Sequence, residues 1–117
     1  RGPQTPLEGE HMLWRQQMRP GGDLTELLRS KGVSKVTVGG LKAAQGVLAT
    51  CEAMADEGLL IYVVRECVED DNVERRAATL DHVLPQYADV FNVEAFREQI
   101  QQEIMMDMYI AFKTAKP

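Results

Sequence analysis

The sequence predicts an α/β fold with three layers, in which a parallel sheet carries helices on both faces. Segments with helical and strand-like periodicity alternate along the chain, as is typical of parallel sheets with right-handed crossovers. The 117 residues are 44% hydrophobic and 26% charged, which is the balance of a globular domain. No apolar run is long enough to span a membrane, and the net charge of −5 argues against unspecific nucleic-acid binding.

The N-terminal part of the chain predicts little regular structure before its first helix. Proline and glycine are frequent in residues 1–22, so we expect an extended segment or a strand remnant there. Asp23, with Glu26 three residues later, predicts the start of a short amphipathic helix that ends at Gly32.

The middle of the chain predicts two strands joined by a helix. Residues 35–38 are rich in β-branched side chains and lead into two glycines, as expected for a buried strand before a tight turn. Apolar residues at helical spacing predict a helix over residues 43–57. Residues 59–64 are all apolar, and a continuous run of this length predicts a strand that is buried on both faces.

The last third predicts helix, strand and helix. A capping pattern at Asp71 begins a helix that Pro85 ends, and a short strand follows over residues 88–91. A long helix begins at about Val93. We divide the chain into the segment 1–22, a core over residues 23–103 and an apolar helical extension over residues 104–117.

The helical extension is crowded with methionine and aromatic side chains. Such residues on a helix often bind a groove or a partner helix, because they adapt their shape and bury large areas. Packing on the chain's own sheet is the alternative. We expect contacts with a partner chain at Met105, Met108, Tyr109 and Phe112.

The turn after the first strand carries a recognisable spacing. Residues 39–50 read GGLKAAQGVLAT, and Gly58 follows Thr50 by eight residues. The segment resembles the isochorismatase-like cysteine hydrolases. Their motif is a strand, Gly-Val-Ala-Thr, two variable residues, Cys-Val, a Thr three residues later and a Gly eight after that Thr. Gly40, Val47, Thr50 and Gly58 match it in register.

The resemblance covers most of the chain up to about Ile100 and implies the family's Rossmann-like sheet order, 3-2-1-4-5-6. Asp23-Leu24 resembles the family's Thr-Asp-Leu helix, and residues 63–66 resemble its next strand, with Glu66 in place of an Asp. Residues 6–11 resemble the loop before the family's lysine strand. Only the later strands are present, so the fold is predicted to be incomplete.

The same resemblance implies that the chemistry has been lost. The family uses a nucleophilic Cys, a basic Asp and an orienting Lys, with backbone N–H groups near a cis peptide as oxyanion hole. Gly46 occupies the Cys position, Ala43 replaces a Thr, and Arg15 is the nearest basic residue to the Lys position. No segment corresponds to the strand that carries the Asp. We therefore predict that the chain is not an enzyme, with a pocket remnant at Gly40, Leu41, Lys42 and Gly46.

Two features of the sequence could in principle restore chemistry to this site. Cys51 or Cys67 would have to replace the lost nucleophile, but Cys51 lies on a core-facing stripe, and two cysteines are typical of reduced intracellular thiols. The acidic residues 66–71 would have to bind a divalent cation, but capping the following helix is the simpler role. We expect no metal and no cofactor.

What remains is partner binding. By the resemblance, Val36 and Val38 lie on a strand with a bare edge, which another chain or a separately cleaved N-terminal half would complete. The start at Arg1 without an initiator methionine resembles a processed product. We predict a non-catalytic structural or interaction subunit of a hetero-oligomer inside the cell, with the mitochondrion favoured over the cytoplasm. The alternatives are a hydrolase completed by another chain and a small-molecule-binding pseudoenzyme.

Overall fold

The described part of the fold is built on three parallel strands that form one sheet. The computed structural model describes residues 22–115, so Arg15 and almost all of the predicted N-terminal segment lie outside it. The strands are β1 (Lys35–Leu41), β2 (Leu60–Glu69) and β3 (Asp89–Phe91), and their order in the sheet is β1-β2-β3. The predicted parallel sheet is confirmed.

Four α-helices of the described residues accompany the sheet. They are α1 (Gly22–Ser30), α2 (Leu48–Asp56), α3 (Val73–Ala78) and α4 (Val93–Ala115). A π-helical segment, Ala43–Val47, precedes α2, and a π turn, Thr79–Val83, with a 3-10 turn, Leu84–Gln86, extends α3. In the described part of the chain, no helix is long and apolar enough to cross a membrane.

Two predicted boundaries were wrong. The second strand continues to Glu69, five residues beyond the apolar run, because β1 and β2 pair again after an irregularity. The third helix begins at Val73 and not at Asp71. Asn72 caps it instead, since its side-chain oxygen accepts a hydrogen bond from the N–H of Arg75 at 2.8 Å.

The central strand β2 is buried on both faces, as its apolar run predicted. Successive side chains of a strand point to opposite faces. Ile61 and Val63 belong to the main core, whereas Tyr62 and Val64 are buried outside that cluster. The three predicted layers are therefore present, and the main core also includes Leu28, Val38, Ala43, Val47, Cys51, Met54, Val68, Leu80 and Leu84.

Helix α4 covers the Tyr62 face of the sheet. The ring of Tyr62 meets the rings of Phe91 and Phe96 edge-on, with centroids 5.5 and 6.1 Å apart. The Tyr62 hydroxyl donates a hydrogen bond to Glu103, and Lys35 Nζ lies 2.6 Å from the same carboxylate. Glu103 thus fastens α4 to both β1 and β2.

The charge of Glu103 is strongly favoured by its surroundings. Lys35, the hydroxyl of Tyr62 and the amide of Gln99, which donates at 2.8 Å, lower the pKa of Glu103 to about 2. Burial and the neighbouring Glu103 raise the pKa of the Tyr62 hydroxyl. The carboxylate is therefore ionised whenever α4 is docked near neutral pH.

Beyond Glu103, α4 continues without a break, so the predicted extension is the distal part of one 23-residue helix. Its large apolar side chains are between 53% and 69% exposed, and they are Ile104, Met105, Met106, Met108, Tyr109 and Ile110. The side chain of Phe112 lies outside the described part of the structure.

We predict that Glu103→Gln lowers the free energy of unfolding by about 1 kcal/mol at pH 7, because an uncharged amide binds Lys35 and Tyr62 more weakly. The pKa of Glu103 falls from its ordinary 4.5 to about 2 on folding, so this contribution is present above pH 4.5 and is lost as the pH falls towards 2. Urea unfolding between pH 2 and pH 7 measures it.

The exposed Glu52 on α2 supplies a matched control. Glu52→Gln should change stability by less than about 0.5 kcal/mol at every pH. An equal loss at pH 2 and pH 7 for Glu103→Gln would show that its charge does not hold the helix.

Candidate functional site

The predicted pocket remnant lies in the turn between β1 and α2. Gly40 has a positive φ of 128°, and a cis peptide bond joins Leu41 to Lys42. The backbone then enters the π-helical segment, where a Cβ atom on Gly46 would lie 3.4 Å from the carbonyl oxygen of Leu41. The turn thus places Gly40, Leu41, Lys42 and Gly46 together, and Ala43 is fully buried beneath it.

A bulge in β2 faces this turn. Val38 pairs with Val63, but the next paired residue, Gly40, meets Val68, so the four residues 64–67 of β2 lie opposite the single residue Gly39 of β1. Gly39 lies against them, since a Cβ atom there would come within 3.0 Å of the carbonyl oxygen of Cys67. A side chain at this position would therefore push the backbone of Cys67 away, which favours glycine.

Arg76 holds the bulge in shape. Its guanidinium donates hydrogen bonds to the carbonyl oxygens of Val68 at 2.8 Å and Arg65 at 2.7 Å. Its Nε also lies 3.1 Å from the carboxylate of Glu69. One cation thereby satisfies backbone acceptors at the irregular end of the strand.

Asp70 occupies the space between the bulge and the turn. The N–H of Ala44 donates to its Oδ2 at 3.3 Å, and the N–H of Asn72 donates to its Oδ1 at 3.0 Å. Arg75 binds the same Oδ1 through Nε at 3.1 Å and Nη2 at 2.6 Å. The side chain of Asp70 has no solvent-exposed surface. A carboxylate of the chain itself is thus bound at the start of the helical segment.

Arg75 is the main cause of the electrostatic state of Asp70. Its guanidinium lowers the pKa of the Asp70 carboxyl well below the ordinary range, and the backbone N–H donors of Asn72 and Ala44 act in the same direction. The carboxylate in turn raises the pKa of Arg75. Both side chains are therefore ionised near neutral pH, and neither is suited to act as a general acid or base there.

The remaining charges around the turn are also engaged. Lys42 Nζ lies 3.6 Å from Asp71, which in turn lies 2.7 Å from Arg75. Within residues 22–115 no group of three or more His, Cys, Asp or Glu side chains has a metal-binding arrangement. Glu69, Asp70 and Asp71 pair with cations of the chain, whereas Glu66 accepts a hydrogen bond from the N–H of Val93 at 3.4 Å. The predicted capping role belongs to Asp70 together with Asn72.

The two cysteines are free and lie in different surroundings. Cys51 is fully buried in the main core, as predicted, and burial raises the pKa of its thiol to about 11. Such a thiol carries almost no thiolate near neutral pH. Cys67 is exposed and lies within the bulge of β2 rather than after the end of the strand.

Thr50, which matches the family motif, and strand β1 both carry hydrogen-bonding groups that have no partner in the described part of the chain. The hydroxyl of Thr50 is buried and has no hydrogen-bond partner among residues 22–115. Val38 is buried in the core and Val36 packs against it, so both side chains are used within the chain. Among the described strands, β1 pairs only with β2, and its other edge of backbone groups is open.

Sequence reasoning missed Asp70, Arg75 and Arg76 as the residues that organise this region. A signal was present, because two arginines follow the acidic run 66–71 after three residues. Arg75 lies five residues beyond its partner Asp70, and Arg76 lies eight residues beyond its partner Val68. The pattern indicates ion pairing, but it does not reveal that the backbone N–H of Ala44 shares the carboxylate.

Comparison with known proteins agrees with this geometry. The sequence model of the isochorismatase domain matches residues 3–95. An isochorismatase family protein from Burkholderia thailandensis superposes with a TM-score of 0.58 at 21% identity, over 60% of this chain and 37% of that one. At this identity the likeness shows the fold, and the chain spans well under half of that protein. No curated protein matches the sequence.

We predict opposite effects for alanine at two glycines of the turn. Gly46→Ala should raise the free energy of unfolding by about 0.5–1 kcal/mol, because the position is helical and the added methyl meets only ordinary contact. Gly39→Ala should lower it by about 1–3 kcal/mol, because the methyl meets the backbone of Cys67. Urea unfolding of both variants measures the difference, and a loss at Gly46 would contradict the geometry.

Proposed function

The chain belongs to the isochorismatase family, and on that premise we propose that it is a non-catalytic structural or interaction subunit of a hetero-oligomeric assembly. The observation that supports this proposal most directly is that the carboxylate of Asp70 occupies the turn between β1 and α2. Asp70 is bound by Arg75 and by the N–H of Ala44. Ala44 lies two residues before Gly46, which stands at the expected nucleophile position. The proposal covers both the missing chemistry and the open surfaces of the fold.

The missing chemistry follows from what a covalent hydrolase requires. Attack on a carbonyl carbon needs a nucleophilic atom, and Gly46 has no side chain. Stabilising the resulting oxyanion needs free N–H donors near that atom. One donor of this turn, the N–H of Ala44, is already bound by a carboxylate, which would repel a second negative charge.

Neither cysteine is well suited to replace the nucleophile. Cys51 is buried, and its raised pKa keeps it protonated. Cys67 is exposed in the bulge, and it has no hydrogen bond to a histidine or another base among the described contacts. Two free thiols fit the proposed location inside the cell, where we favour the mitochondrion over the cytoplasm.

The partner-binding part of the proposal rests on β1. Its seven residues pair on one side only within the described chain, and Leu41 at its end is 75% exposed. An open strand edge of this length is a template for pairing with another chain. The buried hydroxyl of Thr50, which has no hydrogen-bond partner in the described chain, would also be satisfied if a partner chain added polar groups to this core. We propose that another protein chain completes the sheet at this edge.

The catalytic part is tested by assays with vinyl-ether and amide substrates. We expect no turnover above the uncatalysed rate, either for the chain or for Gly46→Cys, whose Cβ atom meets only ordinary contact but whose thiol would lack a base and the N–H of Ala44. Turnover that Cys67→Ser abolishes would overturn the proposal. Turnover only in the native complex would instead support a hydrolase completed by another chain.

The partner-binding part is tested by hydrogen exchange. In the isolated chain, we expect the outward-facing amides of β1 to exchange much faster than those of the central β2, which serve as an internal control. In the native complex, the β1 amides should become as slow as those of β2. Equal protection of both strands in the isolated chain would show that no partner is needed at this edge.

A further inference from the structure

The outward side of α4 changes character at Ile104. The side of the helix that meets the sheet is defined by Phe96 on Tyr62 and by Glu103 on Lys35. On the opposite side, the first part of the helix carries exposed polar residues, namely Glu94, Arg97, Glu98 and Gln101. After Glu103 the same side becomes apolar. This switch cannot serve packing on the sheet, because the apolar residues point away from it.

Four residues form this apolar patch, which we call the distal face. At about 100° per residue, they span an arc of about 140° over two turns, roughly opposite Phe96 and Glu103. They are Ile104, Met105, Met108 and Tyr109, which are 53%, 69%, 67% and 57% exposed. Monomeric soluble proteins rarely leave a contiguous patch of such residues in water.

We propose that the distal face binds the distal face of a second copy of this chain, with the two α4 helices antiparallel. A two-fold axis then passes between residues 106 and 107, so that Ile104 of each copy meets Met108 of the other and Met105 meets Tyr109. The patch is therefore complementary to itself, as a two-fold interface requires. The two sheets lie on opposite outer sides of the helix pair and do not collide.

The charged residues Glu98 and Lys113 favour a second copy of the chain as the partner and favour antiparallel over parallel helices. Lys113 lies beside the ring of Tyr109, with Nζ 5.8 Å from the centroid, on the same flank as Glu98. In the antiparallel register, Lys113 of one copy lies within about 3 Å, along the axis, of Glu98 of the other, and symmetry makes this pair twice. Parallel helices would instead place Glu98 against Glu98, which is repulsive.

The expected area is sufficient for a specific dimer. If each of the eight large side chains loses roughly 100 Å², about half of what a fully buried aromatic side chain loses, the pair buries about 800 Å². The flanking Glu98 and Lys113 bring the interface close to the roughly 1,000 Å² that specific association needs. We therefore expect a reversible dimer rather than a permanent one.

The dimer does not rest on the proposed function. It uses the outer side of α4, whereas the proposed partner chain uses the free edge of β1. The two can therefore fail separately, because substitutions on α4 leave the backbone of β1 unchanged.

The test is the mass of the full chain by light scattering and sedimentation equilibrium. We expect a dimer, and we expect Met105→Glu and Met108→Glu to raise its dissociation constant at least about a hundredfold, because each buries a charge in the apolar centre. Met106 is a matched control, since it is 58% exposed but points away from the distal face. Met106→Glu should leave the dimer intact, and circular dichroism checks that each variant is folded.

A charge exchange tests the register with substitutions that carry no folding risk. Lys113→Glu should weaken the dimer about tenfold, and adding Glu98→Lys to the same chain should restore it. A wild-type chain that stays monomeric would overturn the proposal and assign the distal face to a different protein. The proposal would also be wrong if Met105→Glu and Met108→Glu left the dimer intact while Met106→Glu dissociated it. A dimer that is dissociated by substitutions in β1 would contradict it as well.

Discussion

The fold depends on burying both faces of β2. Within residues 22–115, β1 and β3 do not pair with each other, so β2 is the strand that holds both in one sheet. On one face, Ile61 and Val63 pack against α2 and the segments after α3. On the other face, Tyr62 and Val64 are buried where α4 covers the sheet. Because a bare apolar strand is unstable in water, the two helical layers cannot form independently of each other. Glu103 makes this dependence specific, since its carboxylate fixes where α4 crosses the strands.

The parts of the fold that follow from local periodicity could be predicted from the sequence. The apolar run of β2, the stripe of α2 and the long α4 each depend on residues that are close in the chain. The bulge in β2 could not be predicted, because it depends on where β1 pairs again and on Arg76 reaching backbone carbonyls eight and eleven residues earlier. The start of α3 was misplaced for a related reason. Both Asp and Asn are good caps, but the carboxylate of Asp71 pairs with Arg75 and Lys42, and Asn72 accepts the hydrogen bond from the N–H of Arg75 instead.

The same distinction explains how the candidate site kept its shape. Gly46 and the other turn positions could be placed through the resemblance to the family motif, whose matched residues Val47 and Thr50 are both buried. Those residues serve the core, so they remain useful whether or not the turn performs chemistry. The occupant of the turn could not be predicted, since the contact between Asp70 and Ala44 joins residues far apart in sequence. Under the proposed function, a carboxylate held by Arg75 satisfies a backbone donor that a bound reaction intermediate would otherwise need.

The two open surfaces differ in kind, and the difference constrains the assembly. The edge of β1 presents backbone donors and acceptors, and pairing it with a different chain does not produce symmetry by itself. The distal face of α4 is complementary to itself, and such a contact closes after two copies. Since the two surfaces use different elements, one occupant need not displace the other. If each copy binds one partner chain at β1 and one further copy at α4, the smallest closed assembly has two copies of this chain and two of its partner, related by a single two-fold axis.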